Sequence, residues 1–135
     1  MIVLDTNVLS EPMKVEPDQQ VLTWLSRVTD AATTAVSVGE ILIGVRSLPA
    51  GKRRDGLWSA IATMLSSYQE RILPYDADAA RVYAELYEGR RNAGRPLSVE
   101  DGMIAAICRS NGATLATRNV KDFADLGVEL IDPWA

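Results

Sequence analysis

The amino-acid sequence predicts an α/β protein in which a mainly parallel sheet is covered by helices on both faces. Short apolar runs alternate with longer stretches of helical periodicity along the 135 residues, as expected of a chain built from strand–helix units. The first run, Ile2-Val3-Leu4, is apolar throughout, which is typical of a strand buried on both faces. Because no repeat or linker interrupts this pattern, we expect a single domain over residues 1–135.

The short apolar runs predict five strands. They cover residues 2–4, 32–36, 72–75, 113–116 and 128–131. The third strand contains Pro74, which has no N–H group to donate to a neighbouring strand, so we expect this strand at an edge of the sheet.

The stretches between these strands predict helices. They cover residues 6–12, 17–28, 37–48, 54–69, 76–92 and 98–110, with a short helical turn at 121–123. In open parallel sheets, ligands lie beyond the carboxyl ends of the central strands. The residues that follow the strands are therefore the first candidates for a functional site.

The residue composition excludes several kinds of chemistry. The chain has no histidine, which rules out Ser-His-Asp or Cys-His catalysis and a His-ligated zinc site. Its one cysteine, Cys108, cannot form an internal disulfide, which suits a reducing cytoplasm. The sequence shows no leader or membrane span, so we expect a cytoplasmic protein that does not cross a membrane. The net charge of −4 opposes nucleic-acid binding unless a cation or a local basic surface offsets it.

Three carboxylates stand at the ends of predicted strands or the starts of predicted helices. Asp5 directly follows the first strand, Glu40 lies in the first turn of the helix after the second, and Asp101 in the first turn of the helix before the fourth. Each also has a structural interpretation. Ser37-x-x-Glu40 and Ser98-x-x-Asp101 resemble capping boxes, and Asp5 can cap the helix that follows it.

Taken together, these acids favour a metal site. Carboxylates gathered at one edge of a sheet repel each other and are costly to desolvate unless a cation joins them. Oxygen ligands suit Mg²⁺ or Mn²⁺, and such an ion activates water and offsets charge on a phosphoryl oxygen. Without histidine, metal-activated water is the plausible nucleophile. Asp122 follows the fourth strand, with Asn119 before it, and both join the candidates.

Four motifs, in this order, resemble those of PIN-domain nucleases. They are VLDTNVLSE at residues 3–11, SVGEI at 37–41 followed by Gly44, DGMIAA at 101–106, and TLATRN at 114–119 followed by Asp122-Phe123. The resemblance covers nearly the whole chain and is strongest to VapC-type toxins of the FitB-like subgroup. It implies a three-layer α/β/α domain with five parallel strands in the order 3-2-1-4-5.

The resemblance also implies an activity and a set of acidic residues. The activity is RNA cleavage dependent on Mg²⁺, with Mn²⁺ as the other candidate, and Asp5, Glu40 and Asp101 would be both catalytic and metal-binding. Similar chains often have an acid directly after Thr-Arg, where this chain has Asn119, and many have an acid at the position of Asp122. The fourth catalytic position is therefore Asn119, Asp122, or both acting through a water.

The resemblance further implies supporting residues and partners. Thr6 and Asn7 are expected to orient Asp5, and Thr117 to support the metal or a water. Arg118 and Lys52 are candidates for contacts with RNA or with an antitoxin. The protein would be a homodimeric toxin of a type II toxin–antitoxin module, neutralised by a small VapB/FitA-like antitoxin inserted into the active-site groove, and would form a higher assembly with it.

Two other classes of protein remain open at this point. A receiver-like phospho-acceptor domain also carries aspartates at strand ends, but it needs a pair of acids after its first strand, where this chain has only Asp5. A catalytically silent PIN-fold binding module would share the fold, and the presence of Asp5, Glu40 and Asp101 speaks against it.

Overall fold

The sheet has five strands, all parallel, in the order β3-β2-β1-β4-β5. A computed structural model describes all residues, 1–135. The strands are β1 (Ile2–Leu4), β2 (Ala31–Thr34), β3 (Ile72–Leu73), β4 (Thr114–Ala116) and β5 (Leu130–Ile131). Both the α/β class and the strand order are as expected from the sequence. The edge position of β3, which ends just before Pro74, is confirmed as well.

Six α-helices connect and flank the strands. They are α1 (Thr6–Ser10), α2 (Gln19–Arg27), α3 (Ala35–Arg46), α4 (Lys52–Ser66), α5 (Ala77–Asn92) and α6 (Val99–Ser110). Two short 3₁₀ helices, Glu11–Met13 and Gln69–Arg71, join them. None of the helices is both long and apolar enough to cross a membrane.

The two faces of the sheet carry separate apolar cores, which makes the domain three layers thick. Successive residues of β1 point to opposite faces, so Val3 joins one core and Leu4 the other. The first core contains Ala79 of α5 and Ile104 of α6, which cover one face of the sheet. The second contains Ile61 of α4, which lies on the other face with α1 and α3.

The start of α3 differs from the prediction, which placed a strand over 32–36 and a helix cap at Ser37. The strand ends at Thr34, and the helix begins at Ala35. The hydroxyl of Thr34 accepts a 3.0 Å hydrogen bond from the backbone N–H of Ser37, so Thr34 is the cap and Ser37 lies inside the first turn. The prediction was wrong because it took the first serine of a capping-box pattern as the cap. Glu40 consequently lies in the second turn of the helix.

Other predicted helices also have different limits; the helix predicted over 54–69, for example, is α4 at Lys52–Ser66. The helix over 6–12 ends at Ser10, and a 3₁₀ helix follows in which Pro12 occupies an early position, where a missing N–H is tolerated. Residues 121–123 form hydrogen-bonded turns, with the N–H of Ala124 donating to the carbonyl of Lys121, and no helix.

Helices α5 and α6 pack closely at Gly102. A Cβ atom built at this position would lie 2.6 Å from a ring carbon of Tyr83, so any larger residue would force the two helices or the ring to move. This contact fixes the first turn of α6 against α5, and Asp101 is carried by that turn.

Candidate active site

Asp5 lies directly after the central strand and is only 4% exposed. Its backbone N–H donates to the carbonyl of Ala116 at 2.9 Å, which extends the β1–β4 pairing by one residue. Carboxylate oxygen Oδ2 accepts a 2.6 Å hydrogen bond from the hydroxyl of Thr117, and Oδ1 accepts one of 2.8 Å from the backbone N–H of Thr6. Asp5 therefore caps α1, as the structural interpretation predicted, while its carboxylate is fixed on both oxygens.

The environment of Asp5 disfavours its charged form. Burial raises the pKa of Asp5 above the ordinary value of 3.8, although the hydrogen bonds from Thr117 and Thr6 act in the opposite direction. A buried carboxylate of this kind is stabilised when a cation binds beside it.

Glu40 is held by the residue that follows Asp5. The hydroxyl of Thr6 lies 3.1 Å from Oε1 of Glu40 and 3.0 Å from the hydroxyl oxygen of the buried Ser37. Burial raises the pKa of Glu40 above 4.5, the hydrogen bond from Thr6 lowers it, and the charges of neighbouring acids raise it further. Asp5 and Asp101 are among those acids, which places the three predicted carboxylates in one electrostatic cluster.

Asp101 joins the same cluster from α6, which packs on the opposite face of the sheet from α3, the helix that carries Glu40. It is half-buried in the first turn of α6, and its backbone N–H donates to the hydroxyl of Ser98 at 3.2 Å, so the predicted cap at Ser98 is confirmed. Burial raises the pKa of Asp101 above 3.8, while the Ser98 hydroxyl lowers it. The charges of Asp5, Asp122 and Glu100 raise it further.

These acids have no positive partner within the chain. None of Asp5, Glu40 and Asp101 forms an ion pair with a lysine or arginine. Nor do three or more acidic side chains converge closely enough to form a finished set of metal ligands.

The donor chemistry of the cluster fits a hard divalent cation. All its ligand atoms are carboxylate oxygens, the type that Mg²⁺ and Mn²⁺ prefer. Burial raises the pKa of each of Asp5, Glu40 and Asp101, so their charged forms are disfavoured unless a cation binds beside them. Asp5, Glu40 and Asp101 are thus the residues that would hold such an ion.

The two candidates for the fourth position differ in their surroundings. Asp122 is exposed, yet it lines the same polar cavity as Asp101, and its charge is among those acting on that residue. Asn119 is exposed as well, and its backbone N–H donates to the hydroxyl of Thr117 at 3.0 Å. Asp122 therefore brings a carboxylate toward the cluster, whereas the backbone of Asn119 supports the threonine that holds Asp5.

The predicted supporting residues make different contacts. Thr117 is fully buried and holds Asp5 directly, whereas Thr6 reaches Asp5 through its backbone and Glu40 through its side chain. The side-chain oxygen of Asn7 accepts from the backbone N–H of Arg118 at 3.4 Å. Asn7 therefore makes no hydrogen bond to Asp5, which differs from the expectation that it orients that residue.

The two basic residues predicted to contact RNA or an antitoxin also differ in position. The guanidinium of Arg118 lies over the ring of Trp134, 5.0 Å from the ring centre. The backbone N–H of Arg118 donates to the side chain of Asn7, which lies just after the end of β1. Lys52 is exposed at the first residue of α4. It lines neither the cavity that contains Glu40 nor the cavity that contains Asp101 and Asp122.

Sequence reasoning missed two residues near the acids. Ser37 was interpreted as a cap but is buried against Thr6, and Glu100 adds its charge to those that act on Glu40 and Asp101. The only sequence signal for Glu100 is its position directly before Asp101. Cys108 is buried, and that burial raises its pKa to about 12, which fits an inert thiol.

A mostly apolar cleft of about 310 Å³ adjoins the acidic cluster. Thr6 and Glu40 lie in its wall, so the cleft opens beside the carboxylates. Its other side chains come from α1, α3, α4 and the segments that follow them, and include Met13, Ile41, Val45, Leu57 and Ile61. A parallel sheet with acids at its carboxyl edge and an open apolar cleft alongside is thus the arrangement that defines this chain.

Comparison with known proteins identifies the family. Residues 2–129 match the model of the PIN domain, and the chain therefore belongs to the PIN-domain family. It is 39% identical to the VapC ribonuclease Y4jK of Sinorhizobium fredii, an alignment that covers 99% of this chain and 98% of the relative. It is 34% identical to the toxin FitB of Neisseria gonorrhoeae, with 99% of each chain covered.

Solved structures agree with the sequence relatives. The fold matches a chain in the structure of FitAB bound to an IR36 DNA fragment with a TM-score of 0.95 and 34% identity, covering 100% of this chain and 96% of that one. The receiver-like alternative is correspondingly set aside. Only Asp5 follows β1, and Asp76 follows the edge strand β3 where a receiver would need a central one.

The raised pKa values of the acids predict how stability depends on pH in the metal-free protein. In a carboxylic acid whose folded pKa is raised, the folded state binds more protons than the unfolded state between the two pKa values. The free energy of unfolding that such a group contributes therefore falls as pH rises from about 4 through the folded pKa. Asp101→Asn removes one such group, so the stability lost over this window should be smaller in the variant.

Urea denaturation in EDTA between pH 4 and 8 measures this effect. The control is Asp78→Asn, since Asp78 is exposed and pairs only with Arg81. The relative stability of Asp101→Asn should increase with pH, while that of the control stays flat. Parallel curves for wild type and Asp101→Asn would show that the acids do not oppose folding.

Proposed function

We propose that this chain is a metal-dependent endoribonuclease and the toxin of a type II toxin–antitoxin module. The observation that carries the proposal is the gathering of Asp5, Glu40 and Asp101 at one edge of the sheet without a cationic partner. The ribonuclease and toxin names of the relatives support the substrate class and the biological role. We also propose that residues 1–135 form a single PIN domain and that the protein acts in the cytoplasm.

Mg²⁺ is the proposed cofactor and Mn²⁺ the alternative, held by Asp5, Glu40 and Asp101. When bound, such an ion would make a water nucleophile accessible at neutral pH and offset charge on the phosphoryl oxygens. Thr117 keeps the carboxylate of Asp5 in a fixed orientation, and Thr6 does the same for Glu40. Fixed ligands need little reorganisation during the reaction, which favours catalysis.

Asp122 is the proposed fourth catalytic acid. Its carboxylate can extend the cluster beyond Asp101, with which it shares a cavity and an electrostatic interaction. Asn119 is assigned a positioning role through its hydrogen bond to Thr117. Asp122 lies three residues after Asn119, which occupies the position directly after Thr117-Arg118.

The proposed protein partner is a small antitoxin of the VapB or FitA type. A mostly apolar cleft beside a catalytic cluster suits an apolar peptide segment that would block access of RNA to the acids. The similarity to FitAB, which was solved bound to a DNA fragment, supports an assembly of this kind. Homodimerisation is also proposed, on the basis of the family resemblance.

The nuclease proposal predicts the effect of removing one carboxylate charge at a time. Asp5→Asn, Glu40→Gln and Asp101→Asn preserve side-chain volume but weaken the metal site, so each should lower cleavage by about a hundredfold or more. Purified proteins are incubated with tRNA, rRNA and mRNA in the presence of Mg²⁺, Mn²⁺ or EDTA, and the products are separated on a gel. EDTA should abolish cleavage by the wild type.

Asp78→Asn serves as the matched control, because Asp78 lies on the exposed face of α5. Circular dichroism checks that every variant is folded. Full activity in folded Asp5→Asn and Asp101→Asn proteins would mean that these acids take no part in catalysis. A wild type that binds an antitoxin but cleaves no RNA would instead indicate a silent binding module.

The antitoxin proposal predicts the effect of filling the apolar cleft. Gly44 lines the cleft, and a Cβ atom at this position would meet nothing within 4 Å, so the first side-chain atom of Gly44→Leu has room there. We expect this variant to bind the antitoxin at least about tenfold more weakly, equivalent to about 1.4 kcal/mol. Calorimetry with the small protein encoded by the neighbouring reading frame measures the affinity.

Gly89→Leu is the control for this experiment, because Gly89 is equally unobstructed but lies on α5, away from the cleft. It should bind like the wild type. Unchanged affinity in Gly44→Leu would place the antitoxin elsewhere on the surface.

A further inference from the structure

A second cavity beside the carboxylates is polar, and we propose that it binds a backbone phosphate of the RNA next to the one being cleaved. It has a volume of about 460 Å³ and lies between the end of α5, the loop before α6 and the turns that follow β4. Asp101 and Asp122 border it, so it adjoins the acidic cluster. This inference rests on the proposed ribonuclease function and specifies how the substrate chain continues past the site of cleavage.

The buried wall of the cavity carries an unpaired positive charge. Arg90 is 8% exposed, and its Nη2 atom donates to the carbonyl oxygens of Asp122 at 2.9 Å and Ala124 at 2.8 Å. No carboxylate lies within ion-pair distance of this guanidinium, and its Nε atom has no hydrogen-bond partner. A buried arginine without a counter-charge is costly, and an anion in the cavity would supply that charge.

The rim of the cavity offers one free cation. Arg95 also lines the cavity, but it forms a 3.0 Å ion pair with Asp125, which offsets its charge. Lys121 is exposed and forms no ion pair. Its flexible ammonium group is therefore available to a phosphate that approaches from solvent, as is common in contacts with nucleic-acid backbones.

Arg90 also links this cavity to the geometry of the acidic cluster. Its two hydrogen bonds hold the turn that carries Lys121 and Asp122, so the cation at the rim and the proposed fourth acid are positioned together. Asp101 and Asp122 also line the cavity without forming an ion pair with Arg90 or Lys121, so in the free protein they lower its overall positive charge. A cation held by the acids would leave the cavity net positive, which favours a phosphate beside the cluster.

The test measures RNA binding separately from cleavage. A single-stranded oligoribonucleotide with a fluorescent end label is titrated with protein in Ca²⁺, which takes oxygen ligands as Mg²⁺ does. Its anisotropy is recorded over a range of salt concentrations, and a gel checks that the oligonucleotide stays intact. Lys121→Gln should weaken binding about threefold to tenfold at low salt. It should also reduce the slope of log K against log salt by about 0.7, the value for one phosphate contact with a single strand.

Two further variants make the result specific. Lys121→Arg retains the charge and should restore both affinity and slope. Arg81→Gln removes a cation that lies nine residues before Arg90 on the same helix, outside the cavity, and should leave both unchanged. Identical affinity and slope in Lys121→Gln and wild type would overturn the subsite.

A separate cleavage assay of the wild type with Mn²⁺ keeps the two proposals distinguishable. Cleavage together with an unaffected Lys121→Gln variant leaves the nuclease proposal standing and rejects the subsite. Absence of cleavage, together with weakened RNA binding by Lys121→Gln, rejects the nuclease proposal and leaves an RNA-phosphate site.

Discussion

The hydrogen bond between the Thr117 hydroxyl and the Asp5 carboxylate joins the two central strands at the point where both end. Asp5 is almost completely buried there, and its other oxygen begins α1 through the N–H of Thr6. The side chain of Thr6 also binds Glu40, so Thr6 links the carboxylate of Asp5 to that of Glu40. Loss of the Thr117 contact would leave a buried carboxylate short of a donor and would free the start of α1. The geometry of the whole site therefore depends on this pair.

The charges at this edge of the sheet are arranged in two unequal groups. The acids Asp5, Glu40 and Asp101 have raised pKa values because they are buried and near one another, and no basic side chain pairs with them. The basic residues lie on the far side of Asp101, where Arg90 is buried without a counter-charge. The first group lacks a cation and the second lacks an anion. In the proposed function, a divalent ion would supply the missing cation and an RNA phosphate the missing anion, which would let a chain with a net charge of −4 bind a polyanion.

Much of the fold and the acidic cluster could be predicted because the signals are local. The apolar run of β1 and the acid directly after it are adjacent in sequence, and Pro74 alone indicates an edge strand. The cap at Thr34 was not predicted, because the end of a strand depends on its pairing with neighbours and not on the capping pattern that follows. The role of Arg90 was also out of reach. Its partners lie 32 and 34 residues away, and a run of arginines at the end of a helix is ordinarily solvated.

Direct measurement of metal binding tests whether the acids form one cation site. Mn²⁺ is titrated into the protein, and the free ion is followed by electron paramagnetic resonance, for the wild type and for Asp5→Asn, Glu40→Gln and Asp101→Asn. We expect saturable binding by the wild type and a loss of at least about tenfold in affinity in each variant, since every acid contributes to the same ion. Equal Mn²⁺ affinity in the wild type and all three variants would contradict a shared cation site.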